Sequence, residues 1–339
     1  MAVFIPHNGC PHQCSFCNQK NITGQAAQPT PAEVQATLEQ ALSSLGERAK
    51  ETEIAFFGGS FTAIDRDYMC ALLESAAPYV PYFYGIRVST RPDAIDSEVL
   101  SVLKAYGVTA IELGAQSMDN SVLELNRRGH TAQDVVAASE LIHQAGISLG
   151  LQMMTGLYGA TPETDWETAR RLAALKPETV RVYPTVVMQD TPLAALYQSG
   201  KFVPYTLEQS VNLCAGLILF FTKADINLIR LGLHYSDSLV HNSLDHNYHP
   251  AFKELCESKI FYDSFLAKAA GLSDKRVLVT IHPNSLSKFL GQKKSNLQRL
   301  TSLGFEIAIQ FDESLGKYAL GVCNATEITG SSRLQNLSR

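Results

Sequence analysis

Val3-Phe-Ile-Pro-His-Asn-Gly-Cys-Pro-His-Gln-Cys-Ser-Phe-Cys17 runs from a short apolar segment straight into three cysteines. The apolar part reads as a strand. Cys10, Cys14 and Cys17 then sit on the loop that leaves it, in a C-x3-C-x2-C spacing. Three thiolates on one tight loop suit three irons of a cubane iron–sulfur cluster and leave one iron open. The same loop admits zinc, because Cys14-x2-Cys17 has a common zinc spacing and His7 or His12 would complete a set of four. The residues alone leave both open. A disulfide is not expected. Seven cysteines scattered over 339 residues, with no secretory signal, read as reduced thiols of a cytoplasmic protein.

Outward from this loop, short β-rich runs alternate with long amphipathic ones. Strands are expected at 3–6, 53–57, 85–89, 109–114, 148–153 and 179–183, with a closing one at 227–231 after a helix at 207–224. Helices are expected at 31–48, 68–76, 97–106, 132–144 and 162–175, the first capped by Thr30 with Pro31 at its first position. Strand–helix alternation of this length predicts an α/β fold with an incomplete parallel (β/α)6-type barrel. Chemistry in such barrels sits on loops at the C-terminal ends of strands. The barrel is expected over 1–232, a polar, histidine-rich linker over 233–249, a small α+β module over 250–322, and a loose polar tail over 323–339.

Composition narrows the class. The chain is 45% apolar and 18% charged, ordinary for a globular protein. A net charge of -5 argues against a globally basic nucleic-acid binder. No apolar run is long enough to predict a membrane span.

Each strand end carries a distinctive run. The second ends in Phe57-Gly58-Gly59-Ser60, where a glycine pair lets backbone approach a ligand. The third ends in Arg87-Val-Ser89-Thr-Arg-Pro-Asp93, whose arginines suit a carboxylate or a surface ion pair with Asp93 or Asp96. The fourth holds Glu112 inside an apolar strand, costly unless paired, followed by Leu113-Gly-Ala-Gln-Ser117. Then come Arg128-Gly-His-Thr131, with His130 read as a packing residue, and Gln152 ahead of Met154-Thr-Gly-Leu157. Val182-Tyr-Pro-Thr185 ends the sixth. Cys70, Cys214, Cys256, Cys323 and Trp166 read as packing. His234, His241, His246 and His249 lack a metal-binding spacing.

In this order, these runs resemble the radical S-adenosylmethionine (SAM) superfamily. Over about 1–232 they look most like the radical SAM domain of the Elongator catalytic subunit, with the coproporphyrinogen oxidase type more distant. The resemblance implies that Cys10, Cys14 and Cys17 hold a 4Fe–4S cluster whose open iron is chelated by SAM. One electron then cleaves SAM to a 5′-deoxyadenosyl radical. It places Phe16 beside the adenine and Gly58 and Gly59 at the SAM amino group. Ser89, Gln116, Arg128 and Gln152 would meet the carboxylate or ribose. An electron donor such as flavodoxin or ferredoxin is implied. The subunit's N-terminal extension and acetyltransferase domain are not expected here, so neither is acetyl-type transfer. The expected substrate is an RNA base, in tRNA. The alternatives are a small organic molecule and a non-catalytic, cluster-carrying RNA-binding protein.

The module reads strand, helix, tight turn, helix, strand, the order of an RNA-binding KH module. Its Gly291-Gln-Lys-Lys294 turn lacks the second glycine of a G-x-x-G loop. Lys275, Arg276, Lys288, Lys293, Lys294 and Arg299 fall in a window, 275–305, without an acidic residue. Of these, Lys288, Lys293, Lys294 and Arg299 are the expected phosphate contacts.

Overall fold

Seven strands lie side by side in sequence order and all run parallel. They are β1 (Ala2–Ile5), β2 (Glu53–Gly58), β3 (Gly85–Thr90), β4 (Val108–Gln116), β5 (Ser148–Thr155), β6 (Thr179–Pro184) and β7 (Asn227–Leu231). This computed structural model describes residues 1–6, 10, 13–18, 27–245, 247–325 and 335–336. His7, His12 and His246 therefore lie outside the described residues.

Parallel neighbours need a crossover, and the helices supply it. Threonine caps set the starts of four of them. Thr30 and Glu33 form a capping box on Pro31–Leu45, and Thr131, Thr161 and Thr206 do the same on Ala132–Gln144, Pro162–Ala174 and Leu207–Lys223. The first helix was expected to reach residue 48. It stops at Leu45, where Gly46 turns the chain into a 3-10 stretch, Gly46–Glu51. Val34, Leu38, Leu72, Leu103, Ile142 and Leu172 of the helices are buried, as are Ile54, Ile86, Ile111 and Leu149 of the strands.

The sheet is strongly curled. Phe57 on β2 and Arg181 on β6 are four strands apart, roughly 19 Å in a flat sheet. The Arg181 guanidinium nonetheless lies 5.1 Å from the centre of the Phe57 ring. Only a barrel-like curvature brings them together. The concave face is polar near its base: Arg87 forks onto Glu53 at 2.7 and 2.9 Å, and Arg181 meets Glu112 at 2.6 Å. Glu112 is 2% exposed, so the lone carboxylate of the sequence does find a cation.

The chain divides into two compact units. The first comprises Met1–Ser210 and Phe220–Pro250, the second Val211–Leu219 and Ala251–Arg339. The segment 233–249, expected as a linker, folds onto the first unit instead. It contains a helix, Asp237–Asn242, whose Leu239 is buried with Val186 and Met188. Gln189 and Leu244 complete the attachment through backbone bonds to Asn242 and Val187.

The second unit carries a four-stranded sheet in the order β10 (Leu320–Asn324), β8 (Arg276–Ile281), β9 (Glu306–Phe311), β11 (Gln335–Asn336). β8 and β9 are parallel, with helices Leu286–Leu290 and Ser295–Ser302 between them in the chain. Phe261, Phe265, Phe289, Leu300, Val279 and Ile307 form its core. The expected loose tail is corrected at two places: Cys323 and Asn324 belong to β10, and Gln335–Asn336 pairs with β9. Among the described residues no helix is long and apolar enough to cross a membrane.

One buried acid gives the first unit a pH signature. Asp165 is 3% exposed and accepts from the Gly156 N–H at 2.9 Å and the Tyr205 hydroxyl at 3.2 Å. Burial, only partly offset by those donors, lifts its pKa from 3.8 to about 7. The folded state therefore holds this proton more tightly than the unfolded chain. Its stabilising contribution is complete below the ordinary carboxyl range and is lost as pH rises through about 7. Asp165→Asn should remove a loss of stability of about 3 kcal/mol between about pH 5 and pH 8. Urea unfolding read by the fluorescence of the single tryptophan, Trp166, at about pH 5 and pH 8 checks this. An unchanged slope would contradict it.

Candidate active site

The strand ends surround one cavity of about 520 Å³. Its lining contains Cys10, Cys14 and Cys17 together with Phe16, Gly58, Gly59, Ser89, Gln116, Arg128 and Gln152. All ten residues singled out in the barrel sequence thus meet at one place. Gln13, Ser60, Thr90, Arg91 and Gly114 also line it. Ser60, Thr90, Arg91 and Gly114 lie inside the quoted strand-end runs, so adjacency was the available signal.

The cysteine loop is held by residues the sequence did not single out. Ser15 donates its N–H and hydroxyl to the Asn126 carbonyl and Oδ1, at 3.1 and 2.6 Å. Leu193 N–H donates to the Ser15 carbonyl at 2.8 Å. Asn126, fully buried, is itself fixed by its Nδ2 donating to the carbonyls of Val122 and Tyr158. Phe16 packs against Val187, Leu193, Ala194 and Phe202. Cys10 is exposed, Cys17 half-buried and Cys14 buried.

Arg128 is 7% exposed and donates Nη1 to the Cys14 sulfur at 3.1 Å and Nη2 to the Gly114 carbonyl at 2.7 Å. Its buried Nε has no partner. Arg91, expected as a possible surface pair, is instead 4% exposed. It forks onto Asp93 at 2.8 and 2.9 Å and also donates to the Arg128 carbonyl. His130 touches the Ala115 carbonyl through Nε2 at 3.2 Å. Burial and the neighbouring Arg128 push its pKa down to about 4, so it is neutral.

Two backbone features shape the floor. Gln116 sits in the left-handed region at φ 65, where β4 shifts register against β5 between Gly114 and Gln116. This turns its side chain to accept from Gln152 Nε2 at 3.3 Å. Such strain in a non-glycine residue concentrates at functional sites. Gly58 has φ 124, and a Cβ there would stand 2.3 Å from the Ile5 carbonyl oxygen. The close approach that demands glycine is thus to β1, the strand that delivers the cysteine loop. Gly59 N–H donates to the same oxygen at 2.7 Å.

The donor set fits an iron–sulfur cluster. Three thiols from one loop line the cavity, the donor number an open-site cluster takes. The orphaned Arg128 Nε suits an oxygen acceptor on a cofactor. The Nη1 contact adds positive charge and a donor to a ligand sulfur, which raises a cluster's potential. Arg128→Met should therefore shift the reconstituted cluster's potential negative, by an order of tens of millivolts. A redox titration that finds no shift, or a positive one, would contradict this.

Outside this cavity, the four expected RNA contacts of the second unit divide. Lys288 pairs with Glu257 at 3.4 Å, and Arg299 lies over the Tyr262 ring at 3.9 Å. Lys293 and Lys294 stay exposed on the turn, both in the left-handed region at φ 53 and φ 60.

Comparisons with known proteins agree with this geometry. The Radical SAM superfamily model matches residues 4–172, and the Radical SAM C-terminal domain model matches 177–261. A tRNA uridine(34) acetyltransferase of Methanocaldococcus jannaschii is 24% identical over 254 residues, covering 63% of this chain and 47% of that protein. Human Elongator complex protein 3 is 30% identical over 199 residues, covering 52% of this chain and 36% of that protein. The chain thus spans about half the length, or less, of these relatives. The structure of archaeal Methanocaldococcus infernus Elp3 with an N-terminal deletion superposes with a TM-score of 0.57 at 22% identity. It covers 71% of this chain and 59% of that one, and shows the shared fold. With its cysteine loop, its curled parallel sheet and both family matches, the chain belongs to the radical SAM superfamily.

Proposed function

We propose that the chain is a radical SAM enzyme that modifies an RNA base, in tRNA. The observation that carries the reading is the convergence of Cys10, Cys14 and Cys17 with Gly58, Gly59, Ser89, Gln116, Arg128 and Gln152 on one cavity. The names of the relatives supply the tRNA target. The three thiolates would hold a 4Fe–4S cluster, which, bound with SAM and given one electron by a donor such as flavodoxin or ferredoxin, supplies a 5′-deoxyadenosyl radical. Within the protein, Ser15 and Asn126 fix the loop, and Arg128 holds the Cys14 sulfur. Gly58 and Gly59 line the cavity where they would meet the SAM amino group, and Phe16 where it would meet the adenine. Ser89, Gln116, Gln152 and the unpartnered Arg128 Nε would meet the SAM carboxylate and ribose.

Mass spectrometry of nucleosides from cells with and without the gene tests the substrate. A modified tRNA nucleoside that disappears on deletion supports the reading; identical profiles refute it.

The second unit would assist by contacting the RNA backbone through Lys293 and Lys294. Lys293→Glu with Lys294→Glu should weaken tRNA binding roughly tenfold at low salt, since two phosphate contacts become repulsive. Unchanged filter binding would remove this role.

A further inference from the structure

The concave face carries a second polar feature beside the cavity. Register pairs run Gly114 to Gln152, Gln152 to Arg181, and Arg181 to Arg230. These four residues form one row across β4, β5, β6 and β7. Gly114 and Gln152 line the cavity. Arg181 and Arg230 carry the row on toward the β7 edge.

The two arginines differ in their partners. Arg181 is held by Glu112 at 2.6 Å and lies over Phe57. Its charge is therefore matched. Arg230 is half-buried and donates Nε to the Gly232 carbonyl at 2.9 Å. Among the described residues it forms no ion pair. Tyr183, Tyr248 and His234 lie close enough to interact with it electrostatically, and all are neutral groups at pH 7. Burial and the nearby Arg181 push its pKa down, against the opposite influence of Tyr183 and Tyr248. The same two arginines, after burial, push His234 down as well. A guanidinium without a carboxylate partner, beside neutral phenols and an imidazole, is suited to receive a planar or tetrahedral oxyanion.

We propose that Arg230, held through Nε by the Gly232 carbonyl, anchors an oxyanion of the substrate, a phosphodiester if the substrate is RNA. This rests on the reading of the neighbouring cavity as the SAM site. Arg230 lies two strand spacings beyond Gln152, roughly 10 Å. That is comparable with the length of a nucleotide. A base placed against the cavity would thus bring its own phosphate to Arg230, and the row would select a nucleotide over a nucleoside.

The test uses anaerobically reconstituted, SAM-loaded full-length protein and calorimetric titration at low salt. The probes are uridine 5′-monophosphate, uridine and propionate. Wild type should bind uridine 5′-monophosphate about 10–100-fold more tightly than uridine. Arg230→Gln should close that gap, and Arg230→Lys should keep part of it. Equal affinities in wild type, no binding of the monophosphate up to about 10 mM, or a gap that survives in Arg230→Gln would each overturn the anchor. Propionate competing as well as the monophosphate would overturn the phosphodiester and leave a carboxylate as the oxyanion. The 5′-deoxyadenosine yield of the same wild-type preparation reads the SAM assignment separately, so the two failures are distinguishable.

Discussion

Cys14→Ala is expected to leave a folded protein that has lost its cluster. Cys14 is the buried member of the trio, and its sulfur accepts from Arg128. Without it two thiols remain on the loop, too few for an open-site cubane, and the Arg128 Nη1 loses its acceptor. After anaerobic reconstitution the variant should hold less than about a tenth of the wild-type iron and show no brown absorbance. The loop is fixed by Ser15, Asn126 and Leu193 rather than by the sulfur, so Trp166 fluorescence should report a near-native fold. Cys70→Ala, on a helix away from the cavity, should retain its iron. A Cys14→Ala protein with full iron content would place the metal elsewhere.

Gly58→Ala is expected to cost at least about 3 kcal/mol of stability and the cluster with it. A methyl group there would stand 2.3 Å from the Ile5 carbonyl oxygen and 2.8 Å from its carbon. Both neighbours are backbone of a paired strand, with Ile5 opposite Gly58, so neither yields cheaply. The φ of 124 adds strain for any L side chain. Displacing β1 moves the start of the cysteine loop, which ties a packing fault to loss of metal. The urea midpoint by Trp166 fluorescence and the iron content should fall together. A variant within about 1 kcal/mol of wild type, with full iron, would show that the β1–β2 contact gives way.

The strands and most long helices were legible because each carries its own periodic signal and punctuation. The segment 227–231 was bounded as β7 is, and 132–144 matches Ala132–Gln144. The helices Asn120–Leu125, Pro192–Gln198 and Asp237–Asn242 were not, since each spans less than two full turns. The last of these hid inside a run that reads as polar linker, because its attachment rests on Leu239 and a few backbone bonds.

The cavity residues were legible as strand-end motifs, but their supports were not. Ser15 and Asn126 lie 111 residues apart, and Glu112 and Arg181 lie 69 apart. Neither pairing leaves a local mark. The basic window 275–305 hides its ion pairs in the same way: Asp274, directly before it, takes up Arg276, and Glu257, well upstream in the chain, takes up Lys288. Gly58 illustrates a subtler gap: in the sequence a ligand is the reason to need glycine, while in the fold it is the Ile5 carbonyl.

The central claim is that the thiols of Cys10, Cys14 and Cys17 form an open-site cluster that activates SAM. Its most direct test is 5′-deoxyadenosine released from SAM by reconstituted wild-type protein under dithionite, followed by liquid chromatography and mass spectrometry. The account predicts reductant-dependent 5′-deoxyadenosine that is absent from Cys14→Ala. A wild-type preparation fully loaded with iron and sulfide that binds SAM yet releases none would contradict it.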